Sequence, residues 1–158
     1  MSEQSVLWIS SDLDYTMAVR RAFRGAGVTN PMVCLTSNEL ARSYLLAFHA
    51  RNEIRALPLL VVVDISHPTL KGFDVLTLIK ATPSFANFRV ALLGPHDRAT
   101  IQQAKSLGAA GYAVKPVDLS AVSGLVAAII ENWLPGVLAG GQGDSVESLP
   151  TQRHAGVA

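Results

Sequence analysis

Short apolar runs alternate along the chain with segments whose apolar residues recur at helical spacing. Ser5 to Ile9, Met32 to Leu35, Leu59 to Val63, Arg89 to Leu93 and Gly111 to Val114 read as strands. The third run, Leu59-Leu60-Val61-Val62-Val63, is apolar at every position and ends on Asp64. Continuous runs of that kind mark strands buried on both faces, as in a parallel sheet.

The intervening segments predict helices. The first covers Asp14 to Gly25, with Ala18, Val19, Ala22 and Phe23 on one face and Gly25 and Gly27 as stop signals. The second follows Thr36-Ser37-Asn38-Glu39, which has capping-box form with Glu39 able to reach back to the helix start. It carries Leu40, Tyr44, Leu45 and Phe48 inward and runs on toward Arg55. A short helix from Phe73 to Ala81 is broken by Pro83, and Arg98 to Leu107 points Ile101, Ala104 and Leu107 inward. Asp118 is placed to cap the last helix, whose inward row is Leu119, Val122, Leu125, Val126, Ile129, Ile130 and Trp133. Beyond it, Pro135, Gly136, Gly140, Gly141, Gly143 and Pro150 fall among small and polar residues, so 135–158 reads as a flexible tail and 1–134 as one domain.

Strands alternating with helices predict an α/β domain: a parallel sheet with helices on both faces. In such folds ligands gather at the carboxyl edge of the sheet. Asp64 stands at that edge. The loop after it, Ile65-Ser66-His67-Pro68-Thr69-Leu70-Lys71-Gly72, is ordered by Pro68, which fixes one backbone angle, and by Gly72. Gly108-Ala109-Ala110-Gly111-Tyr112-Ala113-Val114-Lys115-Pro116 brings a lysine to the same edge.

Composition narrows the function classes. The 158 residues are 49% hydrophobic, enough for a real core, and only 16% charged, below the roughly 25% of ordinary domains. A net charge of +1 gives no footprint for nucleic acid. Arg20, Arg21 and Arg24 are the nearest thing to a basic cluster and read as a solvated helix face. The single cysteine, Cys34, reads as a core thiol, because it lies in an apolar run without metal-ligand spacing around it. No signal segment and no apolar run of about 18–20 residues is present, so the expected setting is cytoplasmic and off the membrane. His67 and His96 lie in loops near the carboxyl edge and are read as solvated. Gly25-Ala26-Gly27 ends a helix instead of opening one and is not a phosphate-binding loop.

The D-x-x-x-P-x-x-x-G stretch from Asp64 to Gly72, the Lys115-Pro116 pair and the strand–helix order together resemble the receiver domain of bacterial two-component response regulators. The likeness covers roughly residues 5–134. It implies a flavodoxin-like (βα)5 three-layer sandwich with strand order 2-1-3-4-5. Asn52-Glu53-Ile54-Arg55-Ala56-Leu57-Pro58 before the central strand, and Glu131-Asn132-Trp133-Leu134 at the end of the last helix, are similar to stand-alone receivers that serve phytochrome-type kinases. By the resemblance Asp64 is the phosphoacceptor, Lys115 the partnering cation, and Ser66 the position whose carbonyl reaches a Mg²⁺. A plain buried Asp64–Lys115 ion pair is the competing reading.

Two departures from the pattern carry weight. The family places two adjacent acids after the first strand to hold Mg²⁺, where this chain has Ser10 and Ser11; Asp12 comes one position late and is expected to point elsewhere. The family ends its fourth strand on Ser or Thr, where this chain has Leu92-Leu93-Gly94. Tyr112 matches the aromatic switch position but lacks that hydroxyl partner. With Asp64 and Lys115 alone, the pocket is formally neutral, and Mg²⁺ is expected to bind weakly if at all. The expected function is an atypical receiver acting as a protein-interaction module with little or no Asp64 phosphorylation, and no catalytic residues of its own. Its partners would be a histidine kinase or a downstream signalling protein, with a homodimer through the fourth helix, fifth strand and fifth helix. The alternatives are a working receiver phosphorylated on Asp64, with Asp12 covering for the lost acids, and a flavodoxin-like cofactor binder.

Overall fold

The computed structural model describes residues 4–51, 58–66, 72–85 and 87–135. The expected continuation of the second helix to Arg55, the loop containing His67 and Pro68, and the tail from 136 lie outside the described residues.

The elements alternate throughout. They are β1 (Val6–Ile9), α1 (Leu13–Gly25), β2 (Met32–Leu35), α2 (Asn38–Arg51), β3 (Leu60–Asp64), α3 (Gly72–Ala81), β4 (Val90–Gly94), α4 (Arg98–Ser106), β5 (Gly111–Val114) and α5 (Val122–Trp133). Short 3-10 turns at Pro83–Phe85 and Leu119–Ala121 follow α3 and precede α5. The five strands form one parallel sheet in the order β2-β1-β3-β4-β5, as expected. Its register sets Asp64 opposite Leu93 and Gly94 opposite Val114, so the carboxyl ends of β3, β4 and β5 meet.

The period-2 alternation of the strands divides two apolar layers. Leu7, Ile9, Val61, Val63, Val90 and Leu92 face α2, α3 and α4. Val6, Trp8, Leu60, Val62, Ala91 and Leu93 face α1 and α5. β1, β3 and β4 are buried at every position. Each large aliphatic side chain so enclosed contributes about 1.5–3 kcal/mol relative to exposure.

Several expectations at helix ends and faces need correction. The cap of α2 is Ser37, whose Oγ accepts from the Leu40 amide at 3.0 Å, so Thr36 stands one residue outside the helix and Leu40 takes the place expected for Glu39. Leu40 is consequently exposed instead of inward. Asp118 caps the 3-10 turn by accepting from the Ser120 amide, and α5 begins after it with no side-chain cap. That extra turn rotates Leu119 out of the α5 row, leaving it exposed, while Val122, Leu125, Val126 and Ile129 are buried as expected. Cys34 is half-buried on the edge strand β2 instead of enclosed, and its Sγ accepts from Arg20 Nη2 at 3.0 Å. Arg20 is therefore not a purely solvated residue; Arg21 and Arg24 are exposed.

Candidate functional site

Asp64 ends β3 with 1% of its side chain exposed. A carboxylate so enclosed needs partners for both oxygens. Its Oδ1 accepts from the Ser66 amide at 3.0 Å and from the Ser66 hydroxyl at 2.6 Å. Its Oδ2 accepts from the Ser10 hydroxyl and from Lys115 Nζ, each at 2.8 Å. The elements supply these partners directly. Ser10 follows β1, the strand beside β3, and Lys115 follows β5. The backbone of Lys115 is anchored to β4, its amide donating to the Gly94 carbonyl at 2.8 Å.

Asp12 enters the pocket, contrary to the expectation from its position. It is the N-cap of α1: Oδ1 accepts from the Tyr15 amide at 3.1 Å, and the Asp12 amide itself donates to Ser10 Oγ at 3.1 Å. With one oxygen held by the cap, the other faces inward, 3.2 Å from Lys115 Nζ. The capping role was readable from an Asp just ahead of an amphipathic helix; that capping also aims the second oxygen at the lysine was not.

Lys115 thus bridges two carboxylates. Its ammonium also lies 3.3 Å from Ser66 Oγ and 4.4 Å from the centroid of the Tyr15 ring, a cation–π distance. The pocket carries a formal charge of −1, not zero, since two carboxylates face one ammonium. Burial pushes the Tyr15 hydroxyl up to about 12, with Asp64 and then Asp12 adding to the effect. Ser10 is buried and joins Asp64 to the Asp12 amide, while the Ser11 hydroxyl is buried without a hydrogen bond.

Gly94 and Tyr112 lie against each other. The Tyr112 ring is buried in the apolar layer that includes Ala104 and Ile101 of α4, and its hydroxyl donates to the Pro95 carbonyl at 2.6 Å. A Cβ on Gly94 would stand 2.6 Å from that hydroxyl. Leu93 points to the opposite layer, against α1 and α5. Burial pushes the Tyr112 hydroxyl up to about 12, with a smaller contribution from Asp97. Trp8 packs edge-on to Phe23 within the α1 layer, so its indole is a poor reporter of the pocket.

In receiver-type folds Mg²⁺ is held by acids after the first strand together with the acceptor. Here the point shared by Asp12 and Asp64 is the point the Lys115 ammonium holds. Among the described residues no group of three or more His, Cys, Asp or Glu side chains converges. An internal cation already sits against both carboxylates, so a dication would share them with Lys115 or displace it.

No family model matches the chain. A receiver domain of a response regulator from Rhodospirillum rubrum is 29% identical and superposes with a TM-score of 0.67 over 77% of this chain and 90% of that one. The chain has the fold of response regulator receiver domains and is similar to them in sequence. It also superposes on the phosphorylated cyanobacterial phytochrome response regulator RcpA, with a TM-score of 0.73, 22% identity and coverage of 84% of this chain and 95% of that one. The Mn²⁺-bound response regulator Rcp1 gives a TM-score of 0.69 at 21% identity, covering 83% and 94%. Among curated proteins, the probable methanogenesis regulatory protein FilR2 of Methanothrix harundinacea is 26% identical over 130 residues, 82% of the receiver and 83% of FilR2.

Other expectations concern the surface. His96 is exposed in the β4–α4 connection. Among the described residues, the large exposed apolar side chains are Leu13 and Met17 on α1, Leu40 and Leu46 on α2, and Val117 and Leu119 between β5 and α5. The face expected for dimerisation is polar on α4, which exposes Gln102, Gln103 and Lys105. No helix among the described residues is long and apolar enough to cross a membrane.

Proposed function

We propose that this receiver serves two-component signalling mainly as a protein-interaction module, with Asp64 phosphorylated weakly or not at all and Mg²⁺ bound weakly. The observation that carries this reading is the Lys115 ammonium seated between Asp64 and Asp12 at 2.8 and 3.2 Å. A phosphoryl group brings about −1.5 to −2 of charge at neutral pH. To reach Asp64 it must approach two carboxylates with one ammonium, already engaged, as compensation. Gly94 supplies no hydroxyl to receive it, and the space a hydroxyl would occupy is taken by Tyr112.

The partners in this reading are a histidine kinase or a downstream signalling protein, as for receiver domains generally. Leu13 is next to Asp12 in the chain and Val117 follows Lys115 by two residues, and both side chains are exposed, so they are the apolar residues nearest in sequence to the Lys115–Asp12 contact. They offer a better association surface than the polar α4 face. Phytochrome-type signalling is the input class favoured by the likeness to RcpA and Rcp1.

One observation favours the second reading, a working single-domain regulator: Asp12 reaches the pocket after all and restores a net negative charge. The two are separated by incubating the protein with a small phosphodonor and Mg²⁺ and measuring intact mass. The interaction-module reading expects the unmodified mass to dominate. A dominant species heavier by one phosphoryl group, and absent in Asp64→Asn, would establish the second reading instead.

A further inference from the structure

A cleft of about 350 Å³ lies between the C-terminal half of α1 and the connection from Gly27 to Met32 that enters β2. It is at the amino edge of the sheet, and its first α1 residue, Arg20, lies about two helical turns beyond Asp12, so it stands apart from the Asp64 pocket. Its floor is apolar: Phe23 and Val28 are buried, and Pro31 and Met32 complete it. Its charged wall is Arg20 and Arg24, one helical turn apart on the same face of α1.

These arginines lack the partners that arginines in a folded domain ordinarily find. Arg20 donates from Nη2 to Cys34 Sγ, which fixes the guanidinium over β2, yet its Nε is buried without a hydrogen-bond partner. Among the described residues no carboxylate pairs with Arg20, Arg21 or Arg24; the ion pairs described converge on Lys115 instead. On a chain whose net charge is +1, three guanidinium groups between positions 20 and 24 concentrate positive potential at this one end of α1.

We propose that this cleft binds an acidic segment of a partner protein, with an Asp or Glu carboxylate on Arg20 and Arg24 and an adjacent bulky apolar side chain on the Phe23–Val28 floor. The guanidinium fork matches a carboxylate in two parallel hydrogen bonds, which favours this class of anion. The apolar floor selects against a free inorganic anion, which has nothing to place there. The volume is near the lower end of the roughly 300–1,000 Å³ of ligand pockets and suits one side chain with its neighbour. Because no residue of the Asp64 pocket takes part, the cleft is a second recognition surface whether or not Asp64 is phosphorylated.

The test is amide NMR of the full chain titrated with the peptide acetyl-Glu-Phe-Glu-Glu-amide. The resonances of Arg20, Arg24 and Gly27 to Met32 are expected to move in a saturable way. Replacing the peptide's Glu residues by Gln, or its Phe by Ala, should weaken binding about tenfold, the effect of losing one good contact. Arg24→Gln, at an exposed position that cannot unfold the domain, should do the same, and Arg20→Gln with Arg24→Gln should remove binding. No movement at the cleft, movement elsewhere only, or an unaltered response in the Arg24 variant would overturn the assignment. Inorganic phosphate moving the same resonances as strongly as the peptide would replace it with a general anion site. A shift of the Asp144 and Glu147 amides caused by the double substitution, without peptide, would show the chain's own acidic residues in the cleft and would equally overturn a partner's role.

Discussion

Gly94 and the Tyr112 hydroxyl occupy adjoining space that leaves no room for a side chain between them: a Cβ on Gly94 would stand 2.6 Å from that hydroxyl and 2.7 Å from Ile65 Cγ1. The tyrosine is held there by its bond to the Pro95 carbonyl. The absence of a side chain at the end of β4 and the inward setting of Tyr112 are therefore one arrangement.

Restoring the missing hydroxyl by Gly94→Thr should therefore fail by itself. The obstacle is contact with Tyr112 and Ile65, not backbone conformation, since the left-handed glycines described are Gly27 and Gly108. The variant should lose about 1–3 kcal/mol, the usual cost of overpacking, as measured by urea unfolding. Combining it with Tyr112→Ala should recover part of that loss. A Gly94→Thr variant as stable as the parent would mean that Tyr112 leaves its place at no cost.

The Asp64–Lys115 pair should behave as a buried ion pair in a double-mutant cycle. Lys115→Met leaves a carboxylate 1% exposed with its serine donors but no cation, and stranding a buried charge costs about 3–5 kcal/mol. The Ser10 and Ser66 hydroxyls remain to hold Asp64, which places the cost at the lower end. Asp64→Leu with Lys115→Met should regain most of the stability, because a well-packed apolar pair is often an adequate replacement. Additive losses in the double variant would show that the two side chains do not act together.

Tyr15 and Tyr112 make stability fall at alkaline pH. Their hydroxyls are raised from 10.0 to about 12 in the fold, chiefly by burial. Below pH 10 both states keep the proton and the full stability is present. Between pH 10 and 12 the unfolded chain ionises while the fold does not, so stability falls as pH rises, by on the order of 2 kcal/mol per ring. Absorbance of the tyrosinate band should accordingly show these two rings ionising near pH 12, with Tyr112→Phe removing one of them. Ionisation of both near pH 10 in the folded protein would contradict the burial argument.

The fold was legible because its evidence is local and repeated. Five apolar runs with helical spacing between them allow few arrangements, and β2 and β5 have the bounds read from their sequence. Asp64 and Lys115 were legible for the same reason: each ends a strand at the carboxyl edge. Asp12 was not. Its position counts as one residue late, but whether its free oxygen meets Lys115 depends on cap geometry, which spacing alone does not encode. Leu40 was misplaced by the choice of cap residue, since moving a helix start by one position rotates each side chain by about 100°, and Leu119 because a 3-10 turn stands between the Asp118 cap and α5. Cys34 and Arg20 could not be joined from sequence, because their contact runs from α1 across to an edge strand.

The central claim is that Lys115 occupies the place of the cation. It is tested most directly by calorimetric titration with Mg²⁺ and Mn²⁺ of the parent protein, Lys115→Ala, and Lys115→Ala with Asp12→Asn. Removing the ammonium leaves two carboxylates beside Ser66 and a pocket of charge −2, so affinity for either ion should rise about tenfold or more. The parent should show no saturation in the low-millimolar range, and the Asp12→Asn change should cancel the gain. Saturation of the parent at about 1 mM or below, or a Lys115→Ala variant that binds no better than the parent, would contradict the account.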